Sequence, residues 1–522
     1  MKRDLAAPGD PAIPTPGTDT AALVVRKPAL RYGRAALACL GVGIGLVLLT
    51  GLLGPSAAQP PLPGAPGWLP PYHAGTEPSA ALVTGLLLGS ALIGAVGLGL
   101  AILALRAGWA PNPRRLTVAG GAAAVAVVLV PPMGSADHLV YAAYGRLAAT
   151  GGNPYHDTAQ DLAARGDPVG LAVEAPWQDT PSVYGPVATA EQWLAARIGG
   201  TSPHTTVLVL TLIGALAFVA TGLLLQRAVA ERAARGGDAA SADRARSRVA
   251  LLWLLNPLLL FVGVNAGHAD TVAVAFAVAA LVAVRRSAAL AGVLVGLACA
   301  AKISLGLYVL ALLWGLRHRR RDMGVLLGGA LVVGALTYVP LGTQAFAQMR
   351  ENSKLVSLAM PLRLTVKPLE SALGSDHART LIGLIGWLSL ALVAWLLAPV
   401  VARAASRGPL GGDPVTRDAA GAAALLTVAW LLTAPYSLPW YDVAAWAPVV
   451  LLAATATDGL LLARTTLLVC AYVPGRAIPL PDAVDGFART LRGTVGPYAG
   501  IALLLGAVWL GLRARRGTRV GS

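Results

Sequence analysis

The sequence predicts an all-α, polytopic membrane protein, and three observations carry that prediction. Of 522 residues, 56% are hydrophobic and only 13% charged, against about 25% charged in soluble domains. Mean hydropathy is +0.65. Apolar runs recur along the chain, many near the ~20 residues a helix needs to cross a bilayer, and short arginine clusters separate them at alternate junctions. The net charge of +16 is thus distributed as the positive-inside rule requires, not gathered into a nucleic-acid face, and no nucleic-acid partner is expected. Cys39, Cys299 and Cys470 lie in apolar runs without C-x-x-C spacing. They read as packing residues.

Taken in order, residues 1–34 carry Pro8, Pro11, Pro14, Pro16 and Pro28 among scattered charges and read as a disordered cytoplasmic tail. Arg26, Lys27, Arg31 and Arg34 precede the first span, 35–53, read as a retained anchor rather than a cleaved signal. Further spans are expected at 79–105, 117–131, 205–226, 249–264, 271–284, 287–301, 303–316, 323–339, 380–401, 421–433, 443–462, 465–473 and 498–512. Several are short or bounded by proline, which gives about 12–14 crossings on a span-length criterion. Residues 35–512 form one transmembrane domain and 513–522 a second cytoplasmic tail.

Orientation follows from the cations. With the N-terminus inside, alternate loops collect Arg106, Arg114 and Arg115; Arg227, Arg232, Arg235, Arg244, Arg246 and Arg248; Arg285 and Arg286; Arg317, Arg319, Arg320 and Arg321; Arg403, Arg407 and Arg417; and the tail arginines Arg513, Arg515, Arg516 and Arg519. Both termini are then cytoplasmic in a plasma membrane. The outer face receives the long loop 132–204, the turn 263–270, the loop 340–379, the turn 435–442 and the loop 474–497. The first of these is acidic. The loop 340–379 is instead rich in cations, among them Arg363 and Lys367. An anionic lipid headgroup would explain them, as would simple tolerance in a longer loop.

Chemistry-bearing residues concentrate in these outer loops. Asp137 follows Pro131, Pro132 and Gly134, and Leu139, Ala142, Ala143 and Leu147 recur behind it at helical spacing. Residues 137–150 therefore read as a short helix lying on the outer membrane surface, with Asp137 at its N-terminus as an N-cap or as an ionised base. His138 and Tyr141 share this segment, and Arg146 could meet phosphate or an acidic neighbour. Asn153-Pro154-Tyr155 and Tyr184-Gly185-Pro186 are turn sequences. Tyr155, Trp177 and Tyr184 suit an interfacial belt or sugar stacking. His268 and Asp270 sit in a tight turn between two spans, as helix cap or as phosphate or acceptor ligands. Lys302 breaks an apolar stretch at an outer hairpin turn, where it can face a phosphate. Pro439-Trp440-Tyr441-Asp442 forms another outer turn. Two ligands such as His268 and Asp270 do not define a metal site, so no metal is assigned and divalent-metal dependence stays open. There is no Walker A loop, no Asp-x-Asp, no His-Glu-x-x-His and no Gly-x-Ser-x-Gly.

In order and spacing these fragments resemble the polyprenol-phosphate-mannose-dependent α-1,6-mannosyltransferases of actinobacteria, in the glycosyltransferase C (GT-C) superfamily. The fragments are Asp137…Tyr141-Ala142…Gly145-Arg146, Asn153-Pro154-Tyr155, Ser182-Val183-Tyr184-Gly185-Pro186, Asn256-Pro257, Gly267-His268-Ala269-Asp270, Lys302 and Pro439-Trp440-Tyr441. The chain departs from that pattern at Ala269, often Asn, and at His138, where an apolar residue is expected. The resemblance implies a GT-C-like fold with a catalytic loop at 132–204 and a substrate-binding loop at 340–379. It also implies Asp137 as catalytic base, polyprenyl-phosphomannose as donor and a growing α-1,6-mannan, of the lipoglycan type, as acceptor. His138, Tyr141, Arg146, Tyr155, Tyr184, His268, Asp270, Lys302, Arg363, Lys367, Trp440 and Tyr441 are the expected substrate- and phosphate-binding residues. No cofactor beyond the lipid-linked donor is implied. A relative using another lipid-linked sugar, such as arabinofuranose, is the nearest rival. A flippase predicts ionisable groups at mid-membrane depth, and the spans hold almost none.

Overall fold

The computed structural model describes residues 18–236, 239–410 and 412–519, and these are helical throughout with no strand. Among the described residues, eight helices or helical runs are long and apolar enough to cross a membrane, and three shorter apolar helices, Asp270–Ala283, Ala288–Ala301 and Ile303–Gly315, lie among them. The chain is therefore a multi-pass helical protein. Large apolar side chains such as Leu331, Leu336 and Trp387 point outward from the bundle, each more than 60% exposed. In water such a surface would drive aggregation; in lipid it is the solvated face.

The N-terminal hairpin pairs α1 (Thr18–Leu53) with α2 (Ala80–Arg106). Small residues let the two backbones meet: a Cβ on Gly43 would lie 3.3 Å from Gly94 Cα, the close approach that substitutes for a hydrophobic drive in lipid. The helix α1 begins at Thr18, so it runs through much of the stretch expected to be a disordered tail; residues 1–17 lie outside those described. Asn112 caps α3 (Pro113–Val128), with Pro113 at its first position.

The loop after α3 folds into α4 (Asp137–Ala149), α5 (Ala159–Ala164), α6 (Pro168–Leu171) and α7 (Pro186–Gly199). Here one expectation fails. The helix α4 is not a surface helix with one wet face: every residue from His138 to Gly145 is buried. The cause is its small residues. A Cβ on Gly145 would lie 2.1 Å from the Gln192 carbonyl oxygen, so α7 packs directly on the α4 backbone and closes a second apolar core that includes Leu139, Ala143, Leu147 and Ala195.

The helix α8 (Pro203–Gly236) returns to the opposite end, and α9 (Ala239–Val249) continues through π-helical turns and the short α10 (Pro257–Leu259) to Asn265. Asn256 interrupts this run and caps it anew through Leu258 N and Leu259 N. At the end of the run, Asn265 Nδ2 donates to Val127 O (3.0 Å) and Pro131 O (3.3 Å), and its Oδ1 accepts from Met133 N. That clasp fixes the exit from α3 and hence the start of α4.

Then come α11 (Asp270–Ala283), α12 (Ala288–Ala301), α13 (Gly306–Gly315) and α14 (Arg320–Tyr338). The loop beyond them holds α15 (Gln344–Asn352) and α16 (Arg363–Leu373), and α17 (Ser375–Arg407) and α18 (Pro414–Thr433) follow. The spans expected at 443–462 and 465–473 are divided elsewhere. The helix α19 (Val443–Val449) is short, and α20 (Ala456–Tyr472) starts from a capping box between Thr455 and Asp458. Ala453 N donates to Ala404 O, near the end of α17, so the turn at 450–455 lies at that end of the bundle. Continuous hydrophobicity hid this boundary. The chain closes with α21 (Asp482–Thr490) and α22 (Gly496–Arg519), which carries helix into the stretch expected as a tail.

Ion pairs mark one end of the bundle: Arg248–Asp458, Arg285–Asp413 (3.1 Å), Arg286–Glu231 (2.5 Å) and Arg317–Asp418 (2.7 Å). The segments containing Asp137, His268, Lys302 and Trp440 gather at the other.

Candidate active site

The site is assembled where the N-terminus of α4, the turn before α11, the break between α12 and α13, and the turn between α18 and α19 converge. Asp137 is the first residue of α4, and its backbone N–H donates to Ser135 Oγ at 3.0 Å. Its carboxylate is 3.4 Å from Tyr141 Oη, one turn on, and 3.8 Å from His268 Nδ1. The Tyr141 hydroxyl is the hub. It also lies 2.6 Å from Tyr184 Oη and 3.2 Å from His268 Nδ1. Such a hydroxyl has one proton to give and two lone pairs to accept with, so three polar groups around it lock its orientation.

His268 is fully buried and stacked face to face on Trp440, with ring centroids 3.7 Å apart. Burial pushes its imidazole well below the usual range, so it is neutral. Burial acts on Asp137 in the opposite sense. Loss of solvent drives its carboxyl up to about 6, although the hydrogen bonds from Ser135 and Tyr141 pull it down. A carboxylate poised near neutrality with part of its surface open is what a general base requires.

Lys302 Nζ is 2.5 Å from Asp270 Oδ1 and 3.6 Å from the centre of the Tyr441 ring. This is a cation held between a carboxylate and an aromatic face. Asp270 Oδ2 is buried with no hydrogen-bond partner. The Tyr441 ring in turn stacks near Trp430 and meets Trp440 edge-on.

Asp137, Tyr141, Tyr184, Trp440 and Tyr441 all line one cleft. Of the residues expected from sequence, these five, with His268, Asp270 and Lys302 directly behind them, are brought together. The others are not. His138 faces away from the cleft, pressed on the turn before α11: a Cβ on Gly267, where φ is +72°, would touch its Cβ at 3.3 Å. Burial lowers its imidazole to about 3, so it is a neutral core residue. Arg146 is held by Asp167 (2.7 Å) inside the loop. Tyr155 spends its hydroxyl on Thr189 Oγ1 (2.8 Å). Arg363 and Lys367 lie on α16, and neither lines the cleft.

Eight cleft residues went unassigned as site residues from sequence, among them Tyr144, Trp177, Asn352 and Tyr436. Two are aromatic neighbours of recognised turns, which was the only available signal. Asn352 had none. The buried support beneath Tyr436 and Tyr441 was also invisible. Arg464 pairs with Asp442 and donates to Ser437 Oγ (2.6 Å) and Leu431 O (2.9 Å), while Thr465 Oγ1 donates to Asp442 Oδ2 (2.6 Å). Among the described residues no cluster of three or more His, Cys, Asp or Glu side chains has the spacing of a metal site.

Residues 39–318 match the family described as alpha-(1->6)-mannopyranosyltransferase, N-terminal domain. The chain belongs to this family. The match includes Asp137, Tyr141, Tyr184, His268, Asp270 and Lys302, whereas Tyr436, Trp440 and Tyr441 fall beyond it. No curated protein matches the chain. Among solved structures, the archaeal oligosaccharyltransferase AglB from Archaeoglobus fulgidus, in complex with an inhibitory peptide and a dolichol-phosphate, matches at 13% identity and a TM-score of 0.39. The match covers 76% of this chain and 56% of that one, so the chain spans little more than half the length of that relative.

Proposed function

We propose that the protein transfers mannose, with inversion, from polyprenyl-phosphomannose to a growing α-1,6-mannan acceptor at the outer face of the plasma membrane. The observation that carries this reading is the Asp137 carboxylate, raised in pKa, braced by Tyr141 and open to the cleft, in a chain of α-1,6-mannosyltransferase ancestry.

In the proposed reaction Asp137 accepts the proton of the acceptor's C6 hydroxyl as that oxygen attacks C1 of the donor mannose. The C1–O bond to phosphate breaks, and its electron pair leaves with the polyprenyl phosphate. Attack from the face opposite the phosphate converts a β-linked donor into an α-linked product without a covalent sugar–enzyme intermediate. Lys302, tethered by Asp270 beside Tyr441, is the cation nearest the cleft among those expected from sequence, and it supports the developing negative charge on the leaving phosphate. Membrane sidedness supports the choice of a lipid-linked donor. With arginine clusters at the opposite end of the bundle from Asp137, the site falls on the outer face by the positive-inside rule, where nucleotide sugars are absent.

The test is direct. Purified full-length protein in nanodiscs is given radiolabelled polyprenyl-phosphomannose and a synthetic α-1,6-linked mannobioside. Labelled trisaccharide from the wild type and none from Asp137→Asn is the expected result. Equal turnover by the two proteins, or transfer only from polyprenyl-phosphoarabinose, rejects the reading.

A further inference from the structure

The cleft has a side that the proposed transfer chemistry does not use. Asp137, Tyr141, Tyr184, Trp440 and Tyr441 line the part next to Lys302. The lining also includes Trp177 and Thr180 of the loop before α7, Tyr144, and Asn352 at the end of α15. Trp177 is one of the few large aromatic side chains of that loop left partly open, at 36% exposure. It was expected to serve a membrane belt or a sugar; it lines the cleft beside Tyr144.

The loop carrying Trp177 is held rigidly. Glu174 takes both guanidinium arms of Arg476, at 2.5 and 3.0 Å, and Arg476 also donates to the Ser56 carbonyl. Gln178 Nε2 donates to Val173 O at 2.9 Å, and Gln178 O accepts from Gln160 N. Tyr144 Oη pins the Thr180 carbonyl at 2.8 Å. An indole on so constrained a loop loses little side-chain freedom when it binds a ligand. Asn352 also lines the cleft, and its Oδ1 accepts from Gln348 Nε2 at 3.2 Å, which leaves its Nδ2 hydrogens for a hydroxyl there. An indole and an amide donor lining one cleft match a pyranose, which has a C–H face to stack and hydroxyls at its rim.

We infer that Trp177 and Asn352 form the binding subsite for the acceptor sugar behind the one that reacts, so that the enzyme grips the penultimate residue of an oligosaccharide and selects chain over monosaccharide. This rests on the transferase reading above. It assigns acceptor recognition to one wall of the cleft and leaves donor recognition to the other.

The experiment uses full-length protein in nanodiscs, radiolabelled polyprenyl-phosphomannose, and two acceptors: octyl α-mannoside and its α-1,6-linked disaccharide homologue. Trp177→Ala is expected to raise the KM for the disaccharide about tenfold. The monosaccharide and donor KM values should stay within twofold, and Trp177→Phe should recover most of the loss. Asn352→Ala should act in the same direction and more weakly. Should Trp177→Ala fail to accumulate, Asn352→Ala decides the matter by the same selective rise. Unchanged disaccharide KM in the folded variants, or an equal rise for the donor, overturns the subsite while leaving the transferase reading standing. A wild type that transfers to neither acceptor overturns both.

Discussion

At the scale of single residues, the site turns on Asp137 and on what surrounds it. Its carboxyl sits near 6 because burial disfavours the charge, so the base form is lost as pH falls through that value. The expected pH profile of kcat/KM has an acidic limb with an apparent pKa of about 6, and rates level off above it. Asp137→Asn should lower kcat by about 10³-fold, within the span general bases contribute. The same logic fixes a sign for stability. The native state binds the proton more tightly than the unfolded chain does, so the ionised carboxylate destabilises the fold at neutral pH, and acidification toward 4 relieves the cost. Asp137→Asn should therefore be inactive and melt a few degrees higher, measured by thermal unfolding in detergent. Tyr141→Phe keeps the ring and removes the hydroxyl shared by Asp137, Tyr184 and His268. A fall in kcat of about 10-fold or more, with donor KM unchanged, is expected. Asp137 was legible in the sequence because a carboxylate opening an outer helix is conspicuous. His138 and Arg146 misled, since the sequence displays a titratable group without showing whether a neighbour such as Asp167 has already taken it.

At the scale of elements, close backbone packing and buried ion pairs set the cleft's shape. Gly185 shows the first: a Cβ there would lie 2.0 Å from the Ala300 carbonyl oxygen, so α7 starts directly against the end of α12. Gly185→Ala should push that junction apart, displace the adjacent Tyr184, and cost activity more than expression. The second is the Arg464–Asp442 pair, both side chains nearly fully buried. Arg464→Met leaves Asp442 charged and unpaired, and a loss of about 3–5 kcal/mol is expected. The double variant Arg464→Met with Asp442→Leu should recover much of it, which a thermal-unfolding series would reveal. Helices of even apolarity were read well, as with 80–106 against the expected 79–105. Boundaries inside long apolar stretches were not, because the capping box at Thr455 resembles any polar pair until a helix is seen to start there. The helix α4 was misplaced for a related reason. Its spacing promised one apolar face, but glycine and alanine supplied a second contact surface that hydropathy does not register.

At the scale of the molecule, segregation of charge between the two ends predicts an orientation. A cysteine placed at Thr76, in the loop between α1 and α2, should react with a membrane-impermeant maleimide in intact cells, and one at Gly108, between α2 and α3, should not until the cells are opened. The reverse pattern would put Asp137 in the cytosol and end the case for a lipid-carried sugar. The multi-pass helical fold was the most legible feature, since the periodic return of apolar runs survives errors at every boundary. The cleft was the least legible. It joins residues as far apart in sequence as Asp137, Asn352 and Tyr441, and only folding makes them neighbours.

One tie bears on how the chain can be divided. Arg476 reaches back more than four hundred positions to Ser56 and also grips Glu174, while Asn352, Tyr436, Leu438, Trp440 and Tyr441 line the cleft from beyond residue 318. A fragment cut at the edge of the family match would keep Asp137 and lose the cleft residues contributed from beyond residue 318. Its two halves, made as separate polypeptides, should regain turnover only when they are produced together in one membrane.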